Sequence, residues 1–174
     1  LTACPDLYDR TVTINGVSKS YAMTGWRIGY CGGPASIVDA MATIQSQSTS
    51  NPSSIAQKAA VAALNGDQAC VAEMNRNFKE RHDFFNAGLN ALPGFRVLPA
   101  AGTFYAFCDV SEAIRNLGLA DDHAFAELLL EKAGVAGVPG TGFGAPGHIR
   151  FSFAVSRETL ASALERMAKA LKAP

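Results

Sequence analysis

Lys19 and Arg27 lie eight residues apart in a run of small and apolar residues, Gly16-Val17-Ser18-Lys19-Ser20-Tyr21-Ala22-Met23-Thr24-Gly25-Trp26-Arg27-Ile28-Gly29-Tyr30. Two cations at that spacing are ordinarily solvated surface charges, but their neighbours change the reading. Gly16, Ser18, Ala22, Gly25 and Gly29 leave little bulk near either charge, so a ligand can approach the backbone closely. Val17, Tyr21, Met23, Trp26 and Ile28 are expected to shield the amine from water, and desolvation disfavours the charged form of a lysine. A neutral lysine amine is a nucleophile toward aldehydes, above all toward pyridoxal phosphate. That cofactor also carries a phosphate, for which an arginine fork is the natural bidentate partner. One short segment thus offers both handles that pyridoxal phosphate needs.

The other residues with chemical potential do not assemble along the sequence. Cys4, Cys31, Cys70 and Cys108 form neither a Cys-x-x-Cys pair nor a dense disulfide spacing, and His82, His123 and His148 are equally scattered. No metal site is expected, and the thiols read as buried and reduced. Residues 140–145, G-T-G-F-G-A, satisfy the relaxed dinucleotide pattern G-x-G-x-x-A, which needs a strand before it and a helix after it. Here Pro146-Gly147 and a strand follow, so a mobile loop is the expectation. The run G-V-S-K-S lacks the closing glycine of a nucleophile elbow, and no histidine and carboxylate complete a serine hydrolase.

Composition narrows the classes further. Hydrophobic residues make up 48% of the 174 and charged residues 17%, enough for a packed core. The 15 Lys and Arg balance the 15 Asp and Glu, and no basic run leaves an electrostatic footprint for nucleic acid. No stretch approaches the roughly 20 apolar residues of a membrane span, and no secretory signal is visible, so a cytoplasmic location is expected. The chain opens at Leu1 without an initiator Met, which suggests a piece of something longer.

Several elements must position these groups. Alternation over 11–15 predicts a strand, and the apolar run from Trp26 to Cys31 predicts a second, opened by Arg27. Pro34 can start a helix to about Thr43, a polar segment covers 45–51, and Pro52 starts a helix that stops at Asn65-Gly66. From Asp67 to Leu92, Val71, Met74, Phe78, Phe85, Leu89 and Leu92 mark one face of a long helix, read as a bridge between two lobes. Phe95–Leu98 and Thr103–Val110 read as a hairpin, followed by a helix over Asp122–Ala133 and a strand near Val135–Val138. The last strand runs from His148 to Ala154, and its alternation turns Arg150 to the face opposite Ile149 and Phe151. Ser156 caps a final helix with Leu160, Leu164, Met167 and Leu171 as its stripe. Strands and helices alternate, so the class is α/β or α+β.

With the elements placed, G-V-S-K-S-Y-A-M-T-G-W-R-I-G resembles the pyridoxal-phosphate attachment motif of class I/II aminotransferases at every fixed position. The run A-M-T-G-W-R-I-G-Y is similar to the bacterial aspartate aminotransferase branch. The likeness continues in family order through Q-S-Q-S-T-S-N-P-S-S-I-A-Q, P-A-A-G-T-F-Y-A-F and V-P-G-T-G-F-G-A-P-G-H-I-R-F-S-F-A.

The resemblance implies an α/β fold, the C-terminal part of the fold-type I aminotransferase fold. Residues 1–66 would be the end of the large cofactor-binding domain, and 67–174 the connecting helix and small α+β domain. It implies Lys19 as the catalytic lysine that holds the cofactor, Arg27 on the cofactor phosphate and Arg150 on the substrate α-carboxylate, with no metal. Gly102 and Tyr105 would lie near the substrate. Where some relatives place a phosphate-binding serine three residues before the lysine, this chain has Gly16. The implied activity is transfer of an amino group from an amino acid, aspartate first, to a 2-oxo acid, in a homodimer. An aromatic, alanine or broad-specificity aminotransferase is the near alternative; a pyridoxal-phosphate-sensing regulator domain and an inactive structural remnant are the others. The acid on the pyridine nitrogen, the groups on the ring oxygen and the stacked aromatic are expected before Leu1, so the chain alone is expected to be inactive.

Overall fold

Glycine and proline punctuate the first third of the chain and leave short elements between them. The computed structural model describes residues 3–172. Its chain divides into two units, the first ending at Glu73 and the second beginning at Met74. In the first, Thr13–Gly16 (β1) pairs antiparallel with Gly29–Gly32 (β2), with Gly16 opposite Gly29. A Cβ on Gly29 would stand 3.1 Å from the Asn15 carbonyl oxygen, so glycine suits this close approach. The second strand starts later than its apolar run predicts. Thr24–Trp26 form a 3-10 turn, and Arg27 follows in the left-handed region at φ 51° with its N–H on the Thr24 carbonyl. Trp26 and Arg27 are therefore spent on the turn.

Two helices complete this unit, Ala35–Ser48 (α1) and Ser54–Asn65 (α2). The first runs through Gln45–Ser48, where the sequence predicts an irregular polar segment. The hydroxyls of Thr43, Ser46 and Ser48 donate back to the carbonyls of Asp39, Thr43 and Ile44, which absorbs the polar side chains into the helix. Asn65-Gly66 ends α2 as predicted, with the Gly66 N–H on the Ala62 carbonyl.

The long helix Ala69–Asn90 (α3) contains the boundary between the units, which the sequence reading places at residue 66. Its apolar face buries Phe85 and Leu89, and the same face carries the buried polar pair His82 and Asn86.

The second unit is built on a four-stranded antiparallel sheet. Arg96–Val97 (β3), Tyr105–Asp109 (β4), Val138–Pro139 (β5) and His148–Ser152 (β6) stand in the order β3-β4-β6-β5. The period of two divides its central strands: Ala106, Cys108, Ile149 and Phe151 are buried in the core, while Tyr105, Phe107, His148 and Arg150 take the other face. The core is completed by Phe85 and Leu89 of α3 and by three further helices, Ser111–Asn116 (α4), Asp122–Ala133 (α5) and Arg157–Ala170 (α6). The carboxylate of Asp121 caps α5 by accepting from the Ala124 N–H, and the Ser156 hydroxyl caps α6 by accepting from Thr159.

Two features depart from expectation here. The short helix α4 is too brief for a periodic signal, although it buries Ala113 and Ile114. The strand predicted from Val135 begins only at Val138, because the Val135 N–H returns to the Leu129 carbonyl and closes α5 behind Gly134 at φ 59°. The thiols also divide. Cys108 is buried, Cys31 is half-buried, and Cys4 and Cys70 are exposed, correcting the expectation of uniformly buried cysteines. Burial pushes the Cys108 thiol up to about 12.

Candidate active site

In the first unit, Lys19 and Arg27 belong to one loop, residues 17–28, which the Gly16–Gly29 pairing closes at its base. The loop turns immediately after β1: Tyr21 donates its N–H to the Val17 carbonyl, and Ala22 to that of Lys19. Val17 is fully buried and anchors the turn. The hydroxyl of Tyr21 donates to Gln68 Oε1 at 2.8 Å, and Gln68 Nε2 donates to the carbonyls of Ala63 and Gly66. The loop is thereby tied to the end of α2 through a glutamine that no sequence motif marked.

The shielding expected of the apolar neighbours is not what the structure shows. Lys19 and Arg27 are both exposed, and Trp26 keeps 45% of its surface. Of the five side chains expected to cover the amine, Val17 alone is buried; Tyr21, Met23 and Ile28 are half-buried and Trp26 is exposed. Arg27 folds back on its own turn, donating from Nη1 to the Thr24 carbonyl at 2.9 Å. A guanidinium has five N–H donors, so its fork retains capacity for an anion.

The donor set fits pyridoxal phosphate in kind: an accessible amine, a guanidinium, and the hydroxyls of Ser18 and Ser20. A Cβ at Gly25 would meet nothing within 4 Å, which leaves space beside the loop.

Arg150 lies in the second unit, and the structure brings a different set of residues to it. It stands in the middle of the sheet, opposite Phe107 of β4 and Val138 of β5, on the face away from buried Ile149 and Phe151. Its guanidinium carbon lies 4.3 Å from the ring centre of Tyr105 and 4.5 Å from that of Phe143. These side chains, with Thr103, Phe107 and His148, line an open groove of about 760 Å³. His148 stacks on Phe107 at 5.1 Å between ring centres. Gly102 lines a smaller neighbouring cavity of about 270 Å³ instead, beside His82 of α3.

Phe143 escaped the sequence reading because it sits inside G-T-G-F-G-A. The structure gives those residues an ordered form, a 3-10 turn over Gly140–Phe143. Asp122, the first residue of α5 and only 1% exposed, accepts from the Thr141 N–H at 2.7 Å and from its hydroxyl at 2.7 Å. Burial pushes the Asp122 carboxyl up, and hydrogen bonds from Thr141 and from its own backbone N–H, with His123 nearby, together hold the group below its ordinary value. A second hidden partner is His82, whose Nε2 accepts the Ala100 N–H at 3.1 Å and so holds the loop before Thr103. Among the described residues, no group of three or more His, Cys, Asp or Glu is placed to hold a metal ion, and no helix is long and apolar enough to cross a membrane.

Comparison with known proteins bears on both units. The family model for aminotransferase class I and II matches residues 3–167. The aspartate/prephenate aminotransferase of Nitrosomonas europaea is 56% identical over 177 residues, covering 98% of this chain and 45% of the relative. The aspartate aminotransferase of a Bacillus species is 48% identical over 94% of this chain and 42% of its own length. Among solved structures, the aspartate aminotransferase from Rhizobium meliloti superposes with a TM-score of 0.89 at 46% identity, over 96% of this chain and 43% of that one. The Thermus thermophilus enzyme with maleate gives 0.86 at 44% identity, over 94% and 42%. The chain thus spans less than half the length of the relatives it matches.

Proposed function

Because the chain belongs to the class I and II aminotransferase family, we propose that it supplies the lysine loop and the carboxylate-binding arginine of a pyridoxal-phosphate-dependent aminotransferase. The reaction is transfer of an amino group from aspartate to a 2-oxo acid by the complete protein. The observation that carries this reading is the single loop holding Lys19 and Arg27, closed by the Gly16–Gly29 pair, in a chain 56% identical to a named aminotransferase.

Lys19 holds the cofactor through its amine, and Arg27 grips the phosphate with the part of its fork not engaged by Thr24. When bound, pyridoxal phosphate supplies the electron sink for charge developing at the substrate Cα. The Lys19 amine would take the proton from the substrate Cα as general base and later deliver one as general acid. Arg150 fixes the α-carboxylate with two parallel hydrogen bonds and so orients the Cα–H bond. That a Thermus thermophilus relative is described with maleate, a dicarboxylate, supports a dicarboxylic substrate. A homodimer in the cytoplasm goes with this reading and rests on the family resemblance.

The test uses the complete protein. Lys19→Ala should lose the visible absorbance of the cofactor-bound form and cut aspartate–2-oxoglutarate turnover by orders of magnitude, since the covalent and proton-transfer roles vanish together. Near-normal turnover by that variant would overturn the assignment. Prephenate is a second acceptor to assay, because the Nitrosomonas europaea relative is named for both substrates.

A further inference from the structure

Arg150 owes its setting to one ring from the neighbouring strand and one from the turn that precedes its own. It projects from the exposed face of the sheet, where a long side chain has many rotamers, and two rings restrict it there. Tyr105 comes from the neighbouring strand and is fixed by the ladder, in which it pairs with Ser152. Phe143 lies outside the ladder, although its ring meets that of Phe107 edge-on at 6.2 Å between centres. It is half exposed and belongs to a turn of small residues, Gly140-Thr141-Gly142-Phe143-Gly144. Glycine is the residue type least able to hold a conformation unaided.

What holds that turn is a buried carboxylate. Asp122 is 1% exposed and spends both oxygens on Thr141, which stands two residues before Phe143. The turn also needs Gly140 to lie flat, since a Cβ there would run into the Ala145 carbonyl oxygen and stand 2.7 Å from the His148 Cβ. The Ala145 N–H closes the turn on the Gly140 carbonyl. A chain of contacts thus leads from the start of α5 through Thr141 to Phe143 and on to Arg150.

We infer that Asp122 and Phe143 are positioning residues for carboxylate recognition: Asp122 anchors the Gly140–Gly144 turn, and the turn presses the Phe143 ring on Arg150. The inference rests on the functional reading above for what Arg150 binds, but not for the anchoring itself. Ring and ladder together present the guanidinium fork in one orientation, so the entropy of ordering it is met before substrate arrives.

The experiment compares Asp122→Asn, Thr141→Val and Phe143→Leu with the unaltered complete protein loaded with pyridoxal phosphate. Phe143 is half exposed and Phe143→Leu buries no unpaired polar group, so this variant remains informative if Asp122→Asn or Thr141→Val fails to fold. Each variant should raise the KM for aspartate and the Kd for maleate about five- to tenfold, with kcat, cofactor absorbance and cofactor retention changed far less. Phe143→Tyr, which keeps a ring over the guanidinium, should recover most of the loss seen with Phe143→Leu. Crystal structures of the same variants should show Phe143 displaced and Arg150 in more than one rotamer.

Maleate binding within twofold of the unaltered protein in all three variants would overturn the proposal. So would parallel loss of cofactor and maleate binding, which marks a merely structural role. If the unaltered protein neither transaminates nor binds maleate, the functional reading fails, and the crystallographic comparison still decides the anchoring.

Discussion

Arg27 and Arg150 show how alike two arginines can look in sequence and how differently they are held. Arg27 closes a turn with its own backbone in a left-handed conformation, whereas Arg150 stands in a central strand under two rings. Their expected phenotypes differ accordingly. Arg150→Lys should weaken amino-acid binding and turnover in the complete protein while pyridoxal phosphate stays bound, because a lysine cannot reproduce the bidentate fork. Arg27→Ala should instead weaken retention of the cofactor, read by its absorbance after gel filtration; swapped phenotypes would reverse the two roles. Asp122 gives a pH-dependent outcome. Its folded carboxyl is held below the ordinary value of 3.8, so its stabilising contribution is complete above that value and is lost as pH falls through the lower folded one. Asp122→Asn should therefore cost stability at neutral pH and flatten the acid limb of the denaturation profile below about pH 4, checked by urea unfolding across pH. As candidates, Lys19, Arg27 and Arg150 are legible in the sequence because motif and alternation mark them. Asp122 and His82 are not, since each acts through a contact 18 or 19 residues away, and Phe143 is not, because a turn rather than a periodic pattern brings it to Arg150.

At the scale of elements, local signals and tertiary packing divide the outcome. The capped helix α6, the hairpin of β3 and β4, and the span of α5 follow from residues a few positions apart: a serine cap, a period of two, and a 3.6-residue stripe. The cap has a measurable consequence. Ser156→Ala removes the acceptor for the Thr159 N–H and should cost about 1 kcal/mol, read as a lower denaturant midpoint at unchanged m. Gly94 carries a larger one. It sits at φ 76°, and a Cβ there would stand 2.5 Å from the Ala113 N and 2.8 Å from its Cα, both on the start of α4. Gly94→Ala combines left-handed strain with a backbone clash and should destabilise by more than ~1 kcal/mol. The elements that were misread share a cause. The extension of α1, the late start of β5 and the turn at Arg27 are each decided by a hydrogen bond to a carbonyl three to six residues back, which hydropathy does not record.

At the scale of the whole molecule, the two units differ in what they bury. Among the described residues, the buried hydrophobics of the second unit form one cluster that includes Phe85, Phe125, Phe151, Phe153 and Met167. The first unit buries Val17, Ala56 and Ala60, while Ile14, Ile44, Ile55 and Val61 each keep more than half of their surface exposed. Among the described residues of this unit, small buried side chains and a set of half-buried ones such as Ile28, Ile37 and Val38 stand against an ordering entropy of about 1 kcal/mol or more for each backbone unit fixed. The second unit, with its four-stranded sheet covered by helices, has the layers of an autonomous domain. The 174-residue chain studied alone should accordingly show slow amide exchange in β4, β6 and the helices packed on them. Amides of β1, β2, α1 and α2 should exchange orders of magnitude faster, and the first unit should bind hydrophobic dyes or self-associate through its exposed apolar surface. Lys19 and Arg27 both lie in that weakly supported unit, so pyridoxal phosphate should give only weak, nonspecific absorbance changes with this chain, and no transfer from aspartate to 2-oxoglutarate. Hydrogen exchange resolved by mass spectrometry, run beside a cofactor titration on the same mass-verified sample, tests both statements. Uniform protection across residues 3–172 would show that the first unit folds without further partners, and turnover by that sample would place a working site within these residues alone.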